Sequence, residues 1–154
     1  MKNQKGFSLI ELLVVVIIIG IIAAIAIPSL LASRRAANEG SAIASTRSLG
    51  TAQATYHATT GGGVTFAAAN TNLAGFVDAS LSAAASTKSG YNFVTTGGTG
   101  IMCVLASPTT VGTTGTRYFG MIETYVLTSA TATYGCASGA QTTAAPAGHT
   151  ILGN

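Results

Sequence analysis

Charged side chains are scarce in this chain, and their scarcity excludes some functions. Lys and Arg total 7 and Asp and Glu total 4, which is 7% of 154 residues. A dedicated nucleic-acid surface would show clustered Lys and Arg with interleaved aromatic residues. No such cluster is present, and beyond residue 6 five basic side chains face four acidic ones. We therefore predict no nucleic-acid site.

Titratable groups at catalytic or metal-binding spacing are also missing. His57, His149, Glu39, Asp78 and Glu123 are scattered along the chain, without a nucleophile beside a base. There is no Cys-x-x-Cys and no histidine pair, so zinc and redox chemistry are not supported. The glycine-rich stretches lack a following Lys-Ser/Thr, which a phosphate-binding loop needs. We predict that the chain is not an enzyme and uses no metal or cofactor.

A long apolar run follows a short basic head. No side chain from residue 12 to residue 33 is charged, and Glu11 is the one acid at the start of the run. A helix rises about 1.5 Å per residue, so these residues cover about 33 Å, enough for a bilayer core of about 30 Å. Lys2 and Lys5 keep the N-terminus on the cytoplasmic side. The rest of the chain is therefore predicted to face outward.

Two simpler interpretations leave part of this run unexplained. A secretory signal has an apolar region of about 7 to 15 residues before a small-residue cleavage site. Residues 24–26, Ala-Ile-Ala, fit such a site, but the run is too long and carries Glu11 near its start. A plain membrane anchor explains length and orientation, and it gives no role to Glu11 or to the Gly6-Phe7 junction.

The N-terminal sequence resembles the class III leader region of type IV prepilins and related pseudopilins. Residues 6–15 read Gly-Phe-Ser-Leu-Ile-Glu-Leu-Leu-Val-Val, and Gly20 and Pro28 follow. The resemblance combines a Gly-Phe junction, an acid at the fifth residue after cleavage and an uninterrupted apolar helix. It implies cleavage after Gly6 by a prepilin peptidase, N-methylation of Phe7 and polymerisation through the apolar helix.

Glu11 is expected to be an assembly contact. A carboxylate at the centre of a membrane segment costs about 2.5–3.5 kcal/mol, so it usually has a partner. After cleavage the nearest cation is the amine of Phe7, and methylation leaves its charge in place. The two residues can pair within one chain. Between chains, as the resemblance suggests, the same pair would set the axial register of a docking subunit; a solvated acid near the membrane surface is the alternative.

Gly20 and Pro28 are the weak points of the helix. Gly costs about 1 kcal/mol relative to Ala, and Pro removes a hydrogen bond and crowds the carbonyl four residues earlier. A kink near residues 24–28 is predicted. The resemblance implies that the segment between Gly20 and Pro28 loses helicity in the filament, whereas the alternative is a static kink.

The sequence predicts an α+β fold in which the long helix packs on a four-stranded antiparallel sheet. We expect a leader over residues 1–6, a transmembrane and filament-core helix over 7–33, and a globular head over 34–154. Within the head, we expect the second half of the helix over residues 34–59, a connecting loop over 60–90, the sheet over 91–136 and a tail over 137–154.

Local sequence patterns predict an ion pair, a helix end, core residues and strands within the head. Arg35 and Glu39 stand at i and i+4 and are expected to pair. Three glycines at residues 61–63 should end the helix, and residues 76–85 could hold a short helix. Candidate core residues of the loop are Leu73, Phe76 and Leu81, and those of the helix stripe are Leu31, Ala36, Ile43, Leu49, Ala52 and Tyr56. Predicted strands cover residues 91–95, 101–106, 117–127 and 131–136.

Cys103 and Cys136 are the two cysteines of the chain. Across the membrane the compartment is oxidising, so we expect them to pair. Such a bond would stabilise the fold by about 3–4 kcal/mol in the loop-entropy model. Two free buried thiols are the alternative.

The leading hypothesis is a structural subunit of a type IV pilus for adhesion, motility or DNA uptake. The resemblance implies other copies of the chain, the prepilin peptidase and methylase, inner-membrane assembly machinery and lipid as partners. The precursor is expected in the inner membrane with its head in the periplasm, and the product in a cell-surface pilus.

Related hypotheses differ in particular sequence features. A pseudopilin of type II secretion is the main alternative; such proteins often carry an acidic calcium loop near the C-terminus, and no acid follows Glu123. A minor or DNA-uptake pilin would differ in its abundance in fibres. An electron-conducting fibre would need closely spaced aromatics, and none lies between Phe7 and Tyr56.

Overall fold

A computed structural model describes residues 6–131 and 150–152 of the chain. Contacts divide the chain into two compact units, Met1–Arg34 and Arg35–Asn154. Helix α1 (Leu9–Thr59) contributes to both units. It starts two residues later than predicted and runs through Pro28 without a break in the assigned helix.

The part of α1 in the first unit is apolar and uncovered. An 18-residue stretch of α1 is long and apolar enough to cross a membrane, and none of it is buried. The length and the composition of the stretch are what make it able to cross a membrane. The prediction of an apolar helix of spanning length is confirmed.

The part of α1 in the second unit buries one face that is half polar. The apolar residues Ala42, Leu49 and Ala52 lie in the core, and polar residues share the same face. These polar residues are Glu39, Ser45, Thr46 and Gln53. Of the predicted stripe, Ile43 and Tyr56 pack at the edge of the core, whereas Leu31 and Ala36 are exposed.

The glycine run ends α1 as predicted. The amides of Gly61 and Gly63 donate to the carbonyls of Tyr56 and His57, each at 2.8 Å. Gly62 and Gly63 have φ of 62° and 74°, in the left-handed region that glycine enters without a steric penalty. These bonds satisfy carbonyls at the end of the helix that would otherwise lack partners.

The connection after α1 contains two short helical turns. A 3₁₀ turn spans Asn70–Leu73 and α2 spans Ala79–Ser82, inside the range predicted for a short helix. Leu73 and Leu81 are buried in the core, as expected. Phe76 was a wrong core assignment, because its side chain is 39% exposed.

The sheet has six antiparallel strands in the described residues, so the prediction of four is wrong. The strands lie in chain order, each hydrogen-bonded to the next. They are β1 (Ser86–Lys88), β2 (Tyr91–Gly98), β3 (Ile101–Pro108), β4 (Tyr118–Ile122), β5 (Leu127–Ala130) and β6 (Thr150–Ile151).

The long strand predicted over residues 117–127 is wrong in its second half: β4 ends at Ile122, and β5 begins only at Leu127 and continues to Ala130, beyond the predicted range. The amide of Tyr125 donates to the carbonyl of Ile122 at 2.8 Å, which closes a turn between the strands. Tyr125 has a φ of 57°, an unusual conformation for a bulky residue. Of the strand predicted over residues 131–136, Thr131 lies outside the strands and the remaining residues lie outside the described part.

The two edge strands, β1 and β6, lie outside every predicted strand. β1 joins β2 through Ser89 and Gly90, both at positive φ, the backbone that tight hairpins favour. β6 pairs with β5 through Thr150 and Ile151. Leu152 packs on the core, and Ile151 is exposed. The rest of the predicted tail, residues 137–149 and 153–154, lies outside the described residues.

The inner face of the sheet packs on α1. β3 alternates between half-buried and buried residues, and Met102, Val104 and Ala106 lie in the core. Gly50 of α1 allows a close approach, because a Cβ there would collide with the sulfur of Met121 on β4. The helix face and the sheet therefore form one core within the second unit.

Candidate functional site

The start of α1 carries a helix cap that includes Glu11. The amide of Ser8 donates to Glu11 Oε2 at 2.8 Å, and the amide of Leu12 donates to the Ser8 carbonyl at 3.3 Å. A Glu three residues after the N-cap Ser accepts from the cap amide in a capping box. The Ser8-x-x-Glu11 spacing carries this signal in the sequence, and the predictions did not include it.

Glu11 has no ion-pair partner within the described residues. The two ion pairs found there involve other acids, namely Glu39 and Asp78. Glu11 is exposed, as is the side chain of Phe7. The carboxylate is thus held at the first turn of the helix by one amide and remains open to a further partner.

The first unit exposes a continuous apolar surface. From Phe7 onward its large apolar side chains are all exposed: Phe7, Leu9, Ile10, Leu12, Leu13, Val14, Val15, Val16, Ile17, Ile18, Ile19, Ile21, Ile22, Ile25, Ile27, Leu30 and Leu31. Burying one such side chain is worth about 1.5–3 kcal/mol. Soluble monomers rarely show a contiguous apolar patch of this kind, and large patches mark interaction sites. We therefore expect this apolar surface to be an interaction site.

Gly20 and Pro28 lie within this surface. Among the described residues, nothing beyond the helix's own backbone lies within 4 Å of a Cβ added at Gly20, so packing in the described part of the chain does not require a glycine. Pro28 is inside the helix, where it removes one backbone hydrogen bond. The predicted kink and loss of helicity remain predictions.

A buried carboxylate joins α1 to the loop before β4. Glu39 Oε1 accepts from the amide and hydroxyl of Thr116 at 2.9 and 3.0 Å. Its Oε2 accepts from Arg117 Nε at 2.8 Å. The predicted pair of Glu39 with Arg35 is wrong, because a partner distant in sequence has taken the carboxylate. Arg35 Nε is buried without a hydrogen-bond partner in the described part of the chain.

The electrostatics of this cluster follow from its contacts. Burial raises the pKa of Glu39, but the Thr116 amide and the Arg117 side chain outweigh it, so the pKa lies below its usual value. Burial, with the charge of Glu39 nearby, raises the pKa of Tyr91 to about 12. The Tyr91 hydroxyl donates to the Arg117 carbonyl at 2.9 Å. These contacts support a structural role in the head.

The predicted disulfide is not tested by the described residues. Cys103 lies on β3, opposite Thr96 of β2 and Ile122 of β4. Cys136 lies outside the described part of the chain. The pairing of the two cysteines stays a prediction.

The scattered titratable residues do not form a catalytic constellation in the described structure. His57 stacks on Phe66 with ring centroids 4.3 Å apart, and Asp78 pairs with Lys88 at 2.8 Å. Among the residues described, no group of three or more His, Cys, Asp or Glu could hold a metal ion. His149 lies outside them.

Comparisons with known proteins match the N-terminal part of the chain. Residues 1–27 match the family described as "Prokaryotic N-terminal methylation motif". A segment of 39 residues, 25% of this chain, is 62% identical to the "Type IV wide pilus major component PilA4" of Thermus thermophilus. A segment of 28 residues, 18% of this chain, is 79% identical to a "Fimbrial protein" of Pseudomonas aeruginosa. No solved structure matches the chain.

These alignments cover a minor part of the relatives as well. The matched segment spans 30% of the Thermus protein and 18% of the Pseudomonas protein. The similarity therefore concerns the methylation motif and the apolar helix.

Proposed function

We propose that this chain is a structural subunit of a type IV pilus, because residues 1–27 match the methylation motif and the N-terminal segment is similar to those of two pilus proteins. The subunit is cleaved after Gly6, N-methylated at Phe7 and polymerised through the apolar part of α1. The observation that carries this proposal is the uncovered apolar surface of α1 behind a methylation motif.

The apolar surface needs two successive environments. Before assembly, lipid covers it, since the helix is long and apolar enough to span a bilayer. Lys2 and Lys5 orient the precursor with its N-terminus in the cytoplasm and its head in the periplasm. In the filament, the same surfaces of neighbouring subunits replace lipid. The fibre then serves adhesion, motility or DNA uptake at the cell surface.

Glu11 links processing to assembly in this proposal. Cleavage after Gly6 would create a cationic amine at Phe7, next to the Ser8 amide that already contacts Glu11. A methylated amine keeps its positive charge. We assign the Glu11 carboxylate to the amine of a neighbouring subunit, which sets the axial register as the apolar helices pack. Burial between helices removes water and strengthens this attraction.

Gly20 and Pro28 serve the filament rather than the isolated subunit. Gly20 lowers helix stability by about 1 kcal/mol relative to Ala. Within residues 6–131 and 150–152, no atom lies close enough to exclude a Cβ there. The glycine is therefore explained by close approach of a neighbouring helix or by loss of helicity between Gly20 and Pro28 during packing.

Recovery of fibres tests the proposal directly. Cells producing the chain are sheared, and the fibres are collected and identified by peptide mass mapping. We expect this chain to be the major protein of the fibres and to disappear from them when its gene is deleted. A chain that stays in the membrane fraction of fibre-bearing cells would contradict the proposal and favour the pseudopilin alternative.

A further inference from the structure

Two buried oxygen atoms near β2 have no hydrogen-bond partner among the described residues. They are Asn70 Oδ1, in the 3₁₀ turn of the connection after α1, and Thr95 Oγ1, on β2. Asn70 is 6% exposed and Thr95 is 4% exposed. A buried polar atom without a partner is costly, and most such atoms in folded proteins bond to protein groups or to ordered water. Each of the two oxygens therefore calls for a partner.

The connection contacts β2 before and after Thr95. Before it, Asn70 Nδ2 donates to the Phe93 carbonyl at 2.9 Å. After it, a Cβ built on Gly97 would collide with the carbonyl oxygen of Ala67. Phe93 and Thr95 are buried on the same face of β2, because successive side chains of a strand alternate between its two faces. Thr95 therefore lies on the stretch of β2 between these two contacts with the connection.

The side chains next to Thr95 in the sheet and in the connection offer it no hydrogen bond. Phe93 precedes it on the same face of β2, and Gly97 has no side chain. Val104 is its cross-strand partner on β3. Residues 68 and 69 of the connection are alanines, whose side chains are methyl groups. The local sequence thus places a hydroxyl among apolar side chains.

Asn70 Oδ1 and Thr95 Oγ1 are complementary but do not bond to each other. A hydroxyl can donate and an amide oxygen accepts, so the two would pair if they lay about 3 Å apart. Thr95 lies two residues beyond Phe93, the residue that holds the Asn70 amide, which is about 6.6 Å along a strand. A water molecule bonded to two oxygens at about 2.8 Å each joins atoms up to about 5.6 Å apart. A separation of this order suits one bridging water.

We propose that Asn70 Oδ1 and Thr95 Oγ1 bind one buried water molecule, which joins the connection to β2. The water donates to the amide oxygen and accepts from the hydroxyl. Two polar partners are within the range of 2–4 that buried waters have. The site belongs to the single head and does not depend on the proposed filament. Its failure would leave the filament proposal standing, and loss of fibre assembly would leave the water in place.

A crystal structure of the full chain in detergent, at a resolution that shows ordered water, tests this site. We expect one water molecule about 2.8 Å from both Asn70 Oδ1 and Thr95 Oγ1. A direct hydrogen bond between these two atoms would overturn the proposal. So would a protein group bonded to either atom in place of the shared water, or separate waters on the two atoms.

Thr95→Val tests the same site in solution through the sign of its effect on stability. Val keeps the shape of Thr and removes the hydroxyl. Loss of a hydrogen bond to the water should lower the urea midpoint of unfolding, whereas removal of a hydroxyl without any partner would raise it. A raised midpoint would overturn the proposal. Thr96→Val is the matched control, because Thr96 is the next residue on β2, lies on the opposite face and is half-buried; its midpoint should stay nearly unchanged.

Asn70→Ala tests whether the two oxygens share one water. This variant removes the other partner of the water, so Thr95→Val made in the Asn70→Ala chain should lower the midpoint less than it does in the unaltered chain. An equal fall in both chains would mean that the two residues act independently, and it would overturn the bridge.

Discussion

The backbone amide of Ser8 donates a hydrogen bond to Glu11 Oε2 at 2.8 Å. The acid that our proposal assigns to subunit docking therefore also caps the helix of its own chain. These two roles make different demands on residue 11, because capping needs an acceptor atom and docking needs a negative charge.

Glu11→Gln separates capping from docking. Gln at this position of a capping box still accepts from the cap amide, so the helix should start normally. Removing one partner of a buried charge pair costs about 3–5 kcal/mol, so we expect fibres to be lost. The measurement is the amount of the chain in the sheared fraction, relative to its amount in membranes.

Glu123→Gln is the matched control, because it neutralises an acid in the head. Its fibre yield should equal that of the unaltered chain. Normal fibres from Glu11→Gln, with no fibres from Glu11→Ala, would assign residue 11 to capping alone.

Gly20→Ala tests whether the glycine serves assembly. The change should stabilise the helix of the isolated subunit by about 1 kcal/mol, and nothing in the part of the chain that the structure describes obstructs the added Cβ. We expect normal leader removal and a reduced fibre yield, measured on the same cells by immunoblot. Gly40→Ala also has open space around it and gives the same gain outside the apolar segment. Equal yields from both variants would count against the role of Gly20.

The head should lose stability in acid, because the folded state favours the ionised form of Glu39. Its folded-state pKa is lowered, so the carboxylate stabilises the fold above its unfolded pKa of about 4.5. That stability is lost as the pH falls through the lower folded value. Glu39→Gln should cost about 1–3 kcal/mol at pH 7 and remove this part of the acid dependence. Urea unfolding of the full chain at a series of pH values measures both effects.

Asp78→Asn provides the comparison for that experiment. Lys88 lowers the pKa of Asp78 through a hydrogen bond and through its charge, but the pair is exposed. Exposed pairs contribute little to stability. The variant should therefore retain nearly the full acid dependence. An unchanged pH profile in Glu39→Gln would show that the Glu39–Arg117 pair contributes no pH-dependent stability.

The predicted bond between Cys103 and Cys136 makes the head sensitive to reductant. Intact protein unfolded without reductant should take up no alkylating agent, and two labels should appear after reduction. Reduction should lower the unfolding free energy by about 3–4 kcal/mol. Labelling of both thiols without reduction would support the alternative of two free cysteines.

Local sequence signals predicted the helix and its ends better than they predicted the sheet. The continuous apolar residues predicted the first part of α1, and the glycine run predicted where α1 ends. The division between β4 and β5 was missed because Tyr125, a bulky residue without a turn signature, takes a left-handed conformation there. Edge strands β1 and β6 have three and two residues, too few for an alternating pattern.

Contacts distant in sequence explain the remaining differences. Glu39 was assigned to Arg35 by helical spacing, whereas folding brings Arg117 to it from a loop 78 residues away. Gln53 looks polar in the sequence, yet it is buried and bonds both the amide and the carbonyl of Ala67. Such pairings depend on the tertiary fold, so periodicity could not reveal them. The Ser8–Glu11 cap was local and could have been found.

The N-terminus of the chain in sheared fibres tests the central proposal most directly. Mass spectrometry of the fibre protein should find a first peptide that begins at Phe7 and carries an N-methyl group. That result would establish cleavage after Gly6, methylation and assembly in one sample. A mature chain beginning at Ile27, directly after the Ala-Ile-Ala of residues 24–26, would contradict the proposal, because the apolar helix would then have been removed.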